Sequence, residues 1–238
     1  MDIADIATQH YVEVSPDTRV GQVRSTLDDE DGVLVVDNDT ISITTPRDLL
    51  RSQLDDDASV ERVARAVPRL DITADVREAA RLLVENETTV APVMRGDDLW
   101  GVVTADDILA AVRENLDVLT VSDVQTTEVV TIREDATLGE AINRLREHSI
   151  SRLPVVEEDG TLVGVITTDD VIDFVVRGGD QPDKGERVGD TERLLDLPVY
   201  DEMSRPAGTV EPDDSVANAV DTMLEKGYGG LVVSPEYA

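Results

Sequence analysis

The chain has 238 residues, of which 40% are hydrophobic, and 52 acidic against 21 basic side chains give it a net charge of −31. This length suffices for about two domains with apolar cores, and the absence of cysteine excludes disulfide bonds and thiolate metal sites. Because binding to DNA or to an anionic membrane requires a basic face, we expect neither a nucleic-acid partner nor a membrane partner.

The acidic excess also indicates the solvent in which the protein works. Repulsion among so many carboxylates destabilises a compact protein at low salt, but it is largely screened at about 1 M salt, where the Debye length is about 3 Å. We interpret the composition as adaptation to a salt-rich cytoplasm, with an ordinary acidic surface as the alternative. The N-terminal segment lacks a signal-sequence pattern, and no apolar run approaches the roughly 18 residues of a membrane span. We therefore expect a cytoplasmic protein.

In chain order, the same succession of elements recurs, which indicates a repeat protein. Each of the first three copies begins with a short strand and a helix, continues with two apolar strands, and ends in a second helix, whereas the fourth stops after its first apolar strand. In the first copy the two apolar strands are predicted at Val33–Val36 and Ile41–Thr45. In the third copy they flank Asp159-Gly160, a pair typical of a hairpin turn. The repeats cover about residues 3–53, 60–114, 121–176 and 197–238, and the last is incomplete.

The helix after the first strand begins at a favourable N-cap residue in three of the copies, namely Asp75, Thr137 and Ser215. The first two have a glutamate three residues on, as in a capping box. Arg19 occupies the matching place in repeat one, which makes that copy weaker. Between repeats three and four, residues 177–185 are rich in Gly, Pro and Asp and predict a linker.

In each of the first three repeats a Thr-x-x-Asp sequence joins the second apolar strand to the following helix. An Asp carboxylate can accept hydrogen bonds from both hydroxyls of a ribose, and a Thr hydroxyl with the free N–H groups of the helix can hold a phosphate. The alternative is a helix cap without any ligand. The pairs are Thr45 and Asp48, Thr104 and Asp107, and Thr167 and Asp170.

This ordered set of a strand, a capped helix, an apolar-Pro-Val strand, a Gly-Val-Ile/Val-Thr strand and a Thr-x-x-Asp helix start resembles the CBS (cystathionine-β-synthase) domain family. The resemblance covers almost the whole chain and is strongest in repeats two and three. It implies a mixed α/β fold in which each repeat forms a small three-stranded sheet with two helices. Repeats would pair into two pseudo-twofold modules, at residues 1–116 and 117–238.

The resemblance also implies a function. Clefts between paired repeats would bind an adenosine-containing ligand, which is AMP, ADP, ATP or S-adenosylmethionine, and the protein would be a regulatory sensor rather than an enzyme. Such modules usually associate, so we expect a homo-oligomer, as a dimer, and an unidentified regulated protein. The implied ligand-binding residues are Thr104, Asp107, Thr167 and Asp170, with Arg152 at the phosphate, Pro92 and Pro154 on the adenine strands, and Thr45, Asp48 and Arg47 in repeat one.

Some residues depart from the family pattern. Asp106 and Asp169 stand where many relatives carry a basic or neutral residue. Adjacent carboxylates repel a phosphate, which favours a less anionic ligand, or help from Arg152, a divalent metal or high salt. In repeat one, Pro46 interrupts the Thr-x-x-Asp sequence, which weakens that site.

Two other functions remain open from the sequence. One is a ligand-free interaction scaffold, and the other is a regulatory fragment of a larger enzyme. The sequence contains no phosphate-binding loop, no dinucleotide-binding fingerprint and no hydrolase or zinc-protease motif. His10 and His148 have no metal-type neighbour at ligand spacing, so we expect no catalytic residues and no metal site.

Overall fold

The computed structural model describes residues 1–27, 32–38, 40–52, 55–179 and 195–234, the side chains of 175–179 excepted. Part of the predicted linker, at 180–185, and the end of repeat four, at 235–238, lie outside these residues. Helices and short strands alternate along the described chain. The predicted mixed α/β class is confirmed.

The elements of repeats one and two follow the predicted order. The apolar strands of repeat one form within one residue of their predicted bounds. The elements are β1 (Glu13–Val14), α1 (Val20–Thr26), β2 (Val33–Asp37), β3 (Thr40–Thr44) and α2 (Pro46–Ser52), then β4 (Arg65–Ala66), β5 (Leu70–Asp71), α3 (Val76–Glu85), β6 (Val90–Arg95), β7 (Asp98–Thr104) and α4 (Ala105–Val112). Short 3-10 turns lie at Ile3–Asp5, Val60–Arg62 and Arg113–Asn115.

Repeats three and four continue the same succession. Repeat three contains α5 (Val121–Val124), β8 (Ile132–Arg133), α6 (Leu138–Glu147), β9 (Arg152–Val156), β10 (Leu162–Thr167) and α7 (Thr168–Gly179). The described part of repeat four contains α8 (Val199–Glu202), β11 (Thr209–Val210), α9 (Val216–Lys226) and β12 (Val232–Val233).

The predicted N-caps of α3, α6 and α9 form. The side chain of Asp75 accepts a hydrogen bond from a backbone N–H three residues on at 2.8 Å, that of Thr137 at 3.2 Å and that of Ser215 at 3.1 Å. Arg19, at the start of α1, makes no such bond. Each cap satisfies a backbone donor that the helix leaves free, so the local sequence determines where these helices begin.

The strands form small sheets in the orders β1-β2-β3-β4, β5-β6-β7, β8-β9-β10 and β11-β12. Repeats two and three have the predicted three-stranded sheet, whereas repeat four has two strands within the described residues. The sheet of repeat one has a fourth strand because β4, which leads into repeat two, pairs antiparallel with β3.

In two further places, a segment that precedes the first strand of one repeat pairs with the last strand of its partner repeat. Thr8, ahead of the first strand of repeat one, bridges to Val102 on β7 of repeat two. Ser204, ahead of β11, bridges to Val165 on β10 of repeat three. We call these two segments, at Thr8 and at Ser204, and the strand β4 the crossing segments. They connect repeat one with repeat two, and repeat three with repeat four.

The glycine of the Gly-Val-Ile/Val-Thr strand permits the crossing. A Cβ at Gly101 would overlap the carbonyl oxygen of Thr8. A Cβ at Gly164 would lie 2.7 Å from Sδ of Met203 and 2.8 Å from the carbonyl oxygen of Ser204. A side chain at either position would push the crossing backbone off the strand, so these glycines serve close backbone approach.

Contacts between the two halves join repeat one to repeat three. The helices α1 and α2 pack against α7, and α2 also contacts α6. Val20, Val23 and Leu49 share an apolar core with Ile172 of α7, while Leu50 belongs to the core of repeat three. The halves therefore share buried apolar side chains rather than only a polar surface.

A second contact joins repeat two to repeat four, where α9 lies against α4 and the turn after it. Arg113 donates from Nε to Oδ1 of Asp221 at 2.7 Å and from Nη2 to Oδ2. The hydrogen bond between them raises the pKa of Arg113 and lowers that of Asp221. This bidentate ion pair fixes the orientation of α9 relative to α4.

Among the described residues, no helix combines the length and the apolar character that crossing a membrane would require.

We predict that Gly101→Ala lowers the free energy of unfolding by about 1–3 kcal/mol, as overpacking does. The added methyl group would separate Thr8 from Val102, which exchange two backbone hydrogen bonds of 2.8 Å. Thermal and urea unfolding at about 2 M KCl, where surface charges are screened, would measure the loss. The control is Gly96→Asn, at an open turn position with φ of 64° that Asn tolerates. Equal losses for both variants would contradict the prediction.

Candidate ligand-binding clefts

The Thr-x-x-Asp sequences of repeats one, two and three adopt one geometry. In each, Oδ2 of the Asp accepts hydrogen bonds from the backbone N–H and from the hydroxyl of the Thr, and the Thr hydroxyl oxygen accepts the N–H of the Asp. In that order, the three distances are 3.0, 2.7 and 3.4 Å for Thr45 and Asp48. They are 2.8, 2.8 and 3.1 Å for Thr104 and Asp107. They are 2.7, 2.7 and 3.1 Å for Thr167 and Asp170. This geometry caps the helix and leaves Oδ1 of each Asp for another partner.

The crossing segment decides which partner Oδ1 meets. Each segment pairs with the strand residue two positions before the Thr, which is Ile43 on β3, Val102 on β7 or Val165 on β10. The residues brought to this place are Arg65, Thr8 and Ser204. The three clefts are therefore built alike but receive three different side chains.

In repeat two the carboxylate is open. Thr8 makes no hydrogen bond to Asp107, and its hydroxyl oxygen accepts the backbone N–H of His10 at 3.0 Å. Among the described residues, Oδ1 of Asp107 accepts no hydrogen bond, and the residue is half-buried at the start of α4. Asp107 can therefore accept an additional hydrogen bond from a ligand.

In repeat three the carboxylate has one weakly held partner. The hydroxyl of Ser204 donates to Oδ1 of Asp170 at 2.9 Å. A hydroxyl group can rotate away from an acceptor and can itself accept a hydrogen bond. A ligand hydroxyl could replace that of Ser204 without moving the backbone.

In repeat one the carboxylate is closed by Arg65. Nε of Arg65 lies 3.0 Å from Oδ1 and 3.1 Å from Oδ2 of Asp48, whose side chain is only 11% exposed. The other guanidinium nitrogens donate to the carbonyl oxygens of Asn86 at 2.9 Å and Glu87 at 3.1 Å. Each nitrogen of this guanidinium is thus engaged, and Asp48 has a cation where a ribose would lie.

Arg47, the phosphate ligand predicted for repeat one, lies at a contact between repeats. Its Nη2 donates to the carbonyl oxygen of Ser149 in repeat three, and its Nη1 lies 3.9 Å from the carboxylate of Glu87. Burial, and then the charge of Arg51, lower the pKa of Arg47. The structure thus uses Arg47 to join α2 to the turn after α6.

The predicted adenine strands lie beside the Thr-x-x-Asp turns. Pro92 is buried on β6 opposite Val102, and Pro154 is half-buried on β9 opposite Val165. The same two strand residues receive the crossing segments on their other side. In repeats two and three the structure therefore brings the predicted proline, the Thr-Asp turn and the crossing segment to one strand.

Arg152 is the one predicted cation in the cleft of repeat three. It lies on β9 directly opposite Thr167, and its guanidinium packs against Gly229 and Gly230 of repeat four. It makes no hydrogen bond or ion pair within 4.0 Å to the described part of the chain. Burial lowers the pKa of Arg152, although the charge of Asp169 opposes this shift.

Two carboxylates at the start of α7, Asp169 and Asp170, form an acidic wall, and Asp169 interacts with the charge of Arg152. Burial raises the pKa of Asp169, while Arg152 lowers it and Asp170 raises it. Asp169, Asp170 and Asp173 line a cavity of about 270 Å³, together with Pro46 at the start of α2. Within the described ranges, no group of three or more His, Cys, Asp or Glu side chains has a geometry that could hold a metal ion.

The sequence predicted these turns but not the residues that face them. Arg65 lies 17 positions from Asp48, and Ser204 lies 34 positions from Asp170. Neither belongs to a local motif, and only the register between a crossing segment and the last strand places them. If that register were known, both residues could be identified, because each pairs with the strand residue two positions before the Thr.

Comparison with known proteins agrees with the repeat organisation. A family model described as the CBS domain matches residues 3–55, 57–114, 121–177 and 197–237. A crystal structure of a Methanocaldococcus jannaschii protein, whose description relates it to g-AMPK, superposes with a TM-score of 0.85 at 21% identity. The match covers 99% of this chain and 94% of that protein. At this identity the likeness shows the fold, and the predicted tandem CBS repeats are confirmed.

Curated relatives are longer than this chain. An uncharacterised protein of Methanocaldococcus jannaschii is 27% identical over 247 residues, which cover 97% of this chain and 57% of the relative. A homoserine O-acetyltransferase of Methanosphaera stadtmanae is 37% identical over 100 residues, covering 42% of this chain and 20% of the enzyme. The chain thus spans about half of one relative and a fifth of the other.

We predict that Arg65 and Asp48 stabilise the fold as a coupled pair. In a double-mutant cycle of Arg65→Met and Asp48→Asn, the coupling energy should be about 0.5–3 kcal/mol, because removal of one partner leaves the other charge unpaired. Urea unfolding of the four proteins would measure it. The control combines Arg65→Met with Asp107→Asn, whose effects should add to within about 0.5 kcal/mol. Additive effects in the test cycle would show that the pair does not form.

Proposed function

The chain belongs to the CBS domain family, and we propose that it is a regulatory protein that binds an adenosine-containing ligand in the clefts between its repeats. The observation that carries the proposal is the open carboxylate of Asp107. Its Oδ2 is held by Thr104 at 2.8 Å, while its Oδ1 has no partner within the described residues. A ribose diol could donate to Oδ1 without disturbing the helix cap, so binding needs no rearrangement of the turn.

The three clefts should differ in their affinity for a ribose. The cleft of Asp107 is open, and the cleft of Asp170 requires only the rotation of the Ser204 hydroxyl. The cleft of Asp48 requires a ligand to displace Arg65, which is bound by the carboxylate and by two backbone carbonyls. We propose that repeats two and three bind the ligand and that repeat one does not.

Arg152 supports a phosphate-bearing ligand in repeat three. A half-buried guanidinium without a hydrogen-bond partner is costly, and a phosphate would satisfy it with charge-assisted bonds. The corresponding residue of repeat two is Val90, which lies opposite Thr104 as Arg152 lies opposite Thr167. The cleft of repeat two therefore suits the uncharged nucleoside part of the ligand better than a phosphate.

The acidic wall of repeat three limits the charge of the ligand. Asp169 interacts with Arg152 and with Asp170, and the charges of these two carboxylates oppose the multiple charges of ATP more than the smaller charge of AMP. Within the adenosine class of AMP, ADP, ATP and S-adenosylmethionine, we therefore propose AMP for repeat three. S-adenosylmethionine, whose sulfonium is cationic, fits the acidic surroundings of Asp106 and Asp107 in repeat two.

The pairing of the repeats supports a role in signalling rather than catalysis. Crossing segments connect repeat one with two and repeat three with four, which supports functional modules at 1–116 and 117–238. The Thr-x-x-Asp turn of repeat three leads into α7, which packs against α1 and α2 of repeat one, so ligand binding at this turn could shift the contact between the halves. We propose that this shift is sensed by a regulated protein in the cytoplasm and that the chain acts as a homodimer.

A ligand-free scaffold is the second candidate function. The observation that favours it is the capping geometry of all three Thr-x-x-Asp turns, in which each Thr and Asp bond to each other at the start of the helix. A third candidate, a regulatory part of a larger enzyme, is favoured by the homoserine O-acetyltransferase, of which this chain matches a fifth. A measurement of ligand binding distinguishes the scaffold, which would bind no adenosine ligand, from the other two candidate functions.

We predict that Asp107→Ala and Asp170→Ala each weaken adenosine-ligand binding at least about tenfold, because a charged acceptor contributes about 1.5–3 kcal/mol per hydrogen bond. Calorimetric titration with AMP, ADP, ATP and S-adenosylmethionine at about 2 M KCl would measure it, with GMP as the ligand control. Asp48→Ala is the matched protein control and should leave the affinity unchanged. A scaffold would bind no adenosine compound, and Asp107→Ala and Asp170→Ala would each lose only about 1 kcal/mol of stability with the cap.

We predict that protonation of Asp169 strengthens AMP binding in repeat three. Since burial raises the pKa of Asp169, this carboxylate is neutralised at a higher pH than an ordinary Asp, which removes a charge that repels the phosphate. Asp169→Asn should strengthen AMP binding at pH 7 and flatten its pH dependence, as measured by titration calorimetry.

Two controls isolate this effect. Adenosine has no phosphate, so its binding should not respond to Asp169→Asn. Asp106→Asn removes the same charge from repeat two, where no arginine matches Arg152, and should leave AMP binding in repeat three unchanged. Weaker AMP binding by Asp169→Asn would contradict the assignment of the phosphate to this cleft.

A further inference from the structure

A second cavity lies between repeat one and repeat three, apart from the Thr-x-x-Asp turns. It has a volume of about 270 Å³ and lies among α1, α2, α6 and α7. The cavity beside Asp169, Asp170 and Asp173 is lined by Pro46 and the start of α7, whereas this cavity is lined by Leu49 and Leu50 of α2, by α7 and by α6. Only Ile172 borders both spaces. We call it the inter-repeat cavity.

Arg146 of α6 gives the inter-repeat cavity a positive charge. Its Nε donates to the carbonyl oxygen of Leu50 in repeat one at 2.8 Å, and burial lowers the pKa of Arg146. No carboxylate of the described chain lies within 4.0 Å of it, in contrast to Arg144 on the same helix, which pairs with Glu140 at 2.7 Å. In a chain with 52 acidic and 21 basic residues, a half-buried arginine without a carboxylate partner is unexpected.

Arg24 of α1 also lines the cavity and forms an ion pair with Asp56, and most of the other described lining residues are apolar. Leu49, Leu50, Ile142 and Val171 line it, and all four are buried. The exposed Asn143 lies at its edge. The volume is close to the lower limit of about 300 Å³ for small-molecule sites. These walls would exclude water from a bound apolar group, and a guanidinium in such surroundings attracts an anion strongly.

We propose that the inter-repeat cavity is a binding site for a small organic carboxylate with an apolar body. The carboxylate would accept hydrogen bonds from the Nη groups of Arg146 while Nε keeps its bond to Leu50. The apolar body would lie against Leu49, Ile142 and Val171. Such a ligand would contact both halves of the chain and stabilise their association. This site does not depend on the adenosine proposal, since it uses none of the Thr-x-x-Asp residues.

Titration calorimetry of the full chain with 4-methylpentanoate tests the proposal, and the uncharged 4-methylpentanamide is the matched ligand. Potassium chloride is kept at one fixed concentration throughout, so that competition by the salt anion for the arginine is the same for both compounds. We expect the carboxylate to bind at least about tenfold more tightly than the amide, because only the carboxylate accepts charge-assisted hydrogen bonds from Arg146. Equal binding of the two compounds, or binding of neither, would overturn the proposal.

Variants locate the site. Arg146→Gln removes the charge, keeps a donor for Leu50 and should reduce carboxylate affinity at least about tenfold. Arg144→Gln is the matched control on the same helix and should leave the affinity unchanged. Asn143→Phe, at an exposed position, should block entry to the cavity and abolish binding while the protein stays folded, as judged by its unfolding temperature. Unchanged affinity in Arg146→Gln, or an equal loss in Arg144→Gln, would place the ligand elsewhere and overturn the proposal.

Discussion

The clefts of this protein depend on the hydrogen bonds between each crossing segment and the last strand of another repeat. These bonds satisfy backbone groups at a strand edge, which would otherwise lie unpaired beside the core. They also connect the repeats in pairs, because a segment that begins one repeat ends on the sheet of its partner. Gly101 and Gly164 allow the backbones to approach closely enough for this contact. A side chain at either glycine would push the crossing segment away from the strand.

A single position in the crossing segment determines the chemistry of each cleft. The Thr-Asp turns are nearly identical in the three repeats, yet the facing residues are Arg65, Thr8 and Ser204. A guanidinium neutralises the carboxylate in repeat one, the threonine of repeat two makes no bond to it, and a serine hydroxyl donates to it in repeat three. Duplicated sites can therefore acquire different functions through one substitution outside the motif, while the motif itself remains intact as a helix cap.

The arginines between the halves show how a strongly acidic chain is held together. Arg47 and Arg146 both join repeat one to repeat three by donating to backbone carbonyl oxygens, those of Ser149 and Leu50. Since a partly buried hydrogen bond is screened less by salt than an exposed ion pair, such contacts suit a protein that works at high ionic strength. The composition predicts such an environment, and these two contacts are consistent with it.

The local sequence determined the repeats, the order of their elements and the starts of the helices. Asp75, Thr137 and Ser215 were predicted as N-caps and form those caps, and the Thr-x-x-Asp turns close as their spacing indicates. Each of these interactions spans only three residues, so the sequence contains the information needed to predict it. The family resemblance, which rests on the same elements, is confirmed, while the assignment of ligand-binding residues stays a prediction.

Only the tertiary structure decided which of the turns are open. Arg65 reaches Asp48 through the register of β4 on β3, and Arg146 faces an apolar cavity because α6 packs on α2. Such contacts join residues far apart in the chain, and they depend on strand register and helix packing that no local pattern encodes. The physical reason is that capping is satisfied within one turn of helix, whereas the second partner of a carboxylate or a guanidinium is supplied by another repeat.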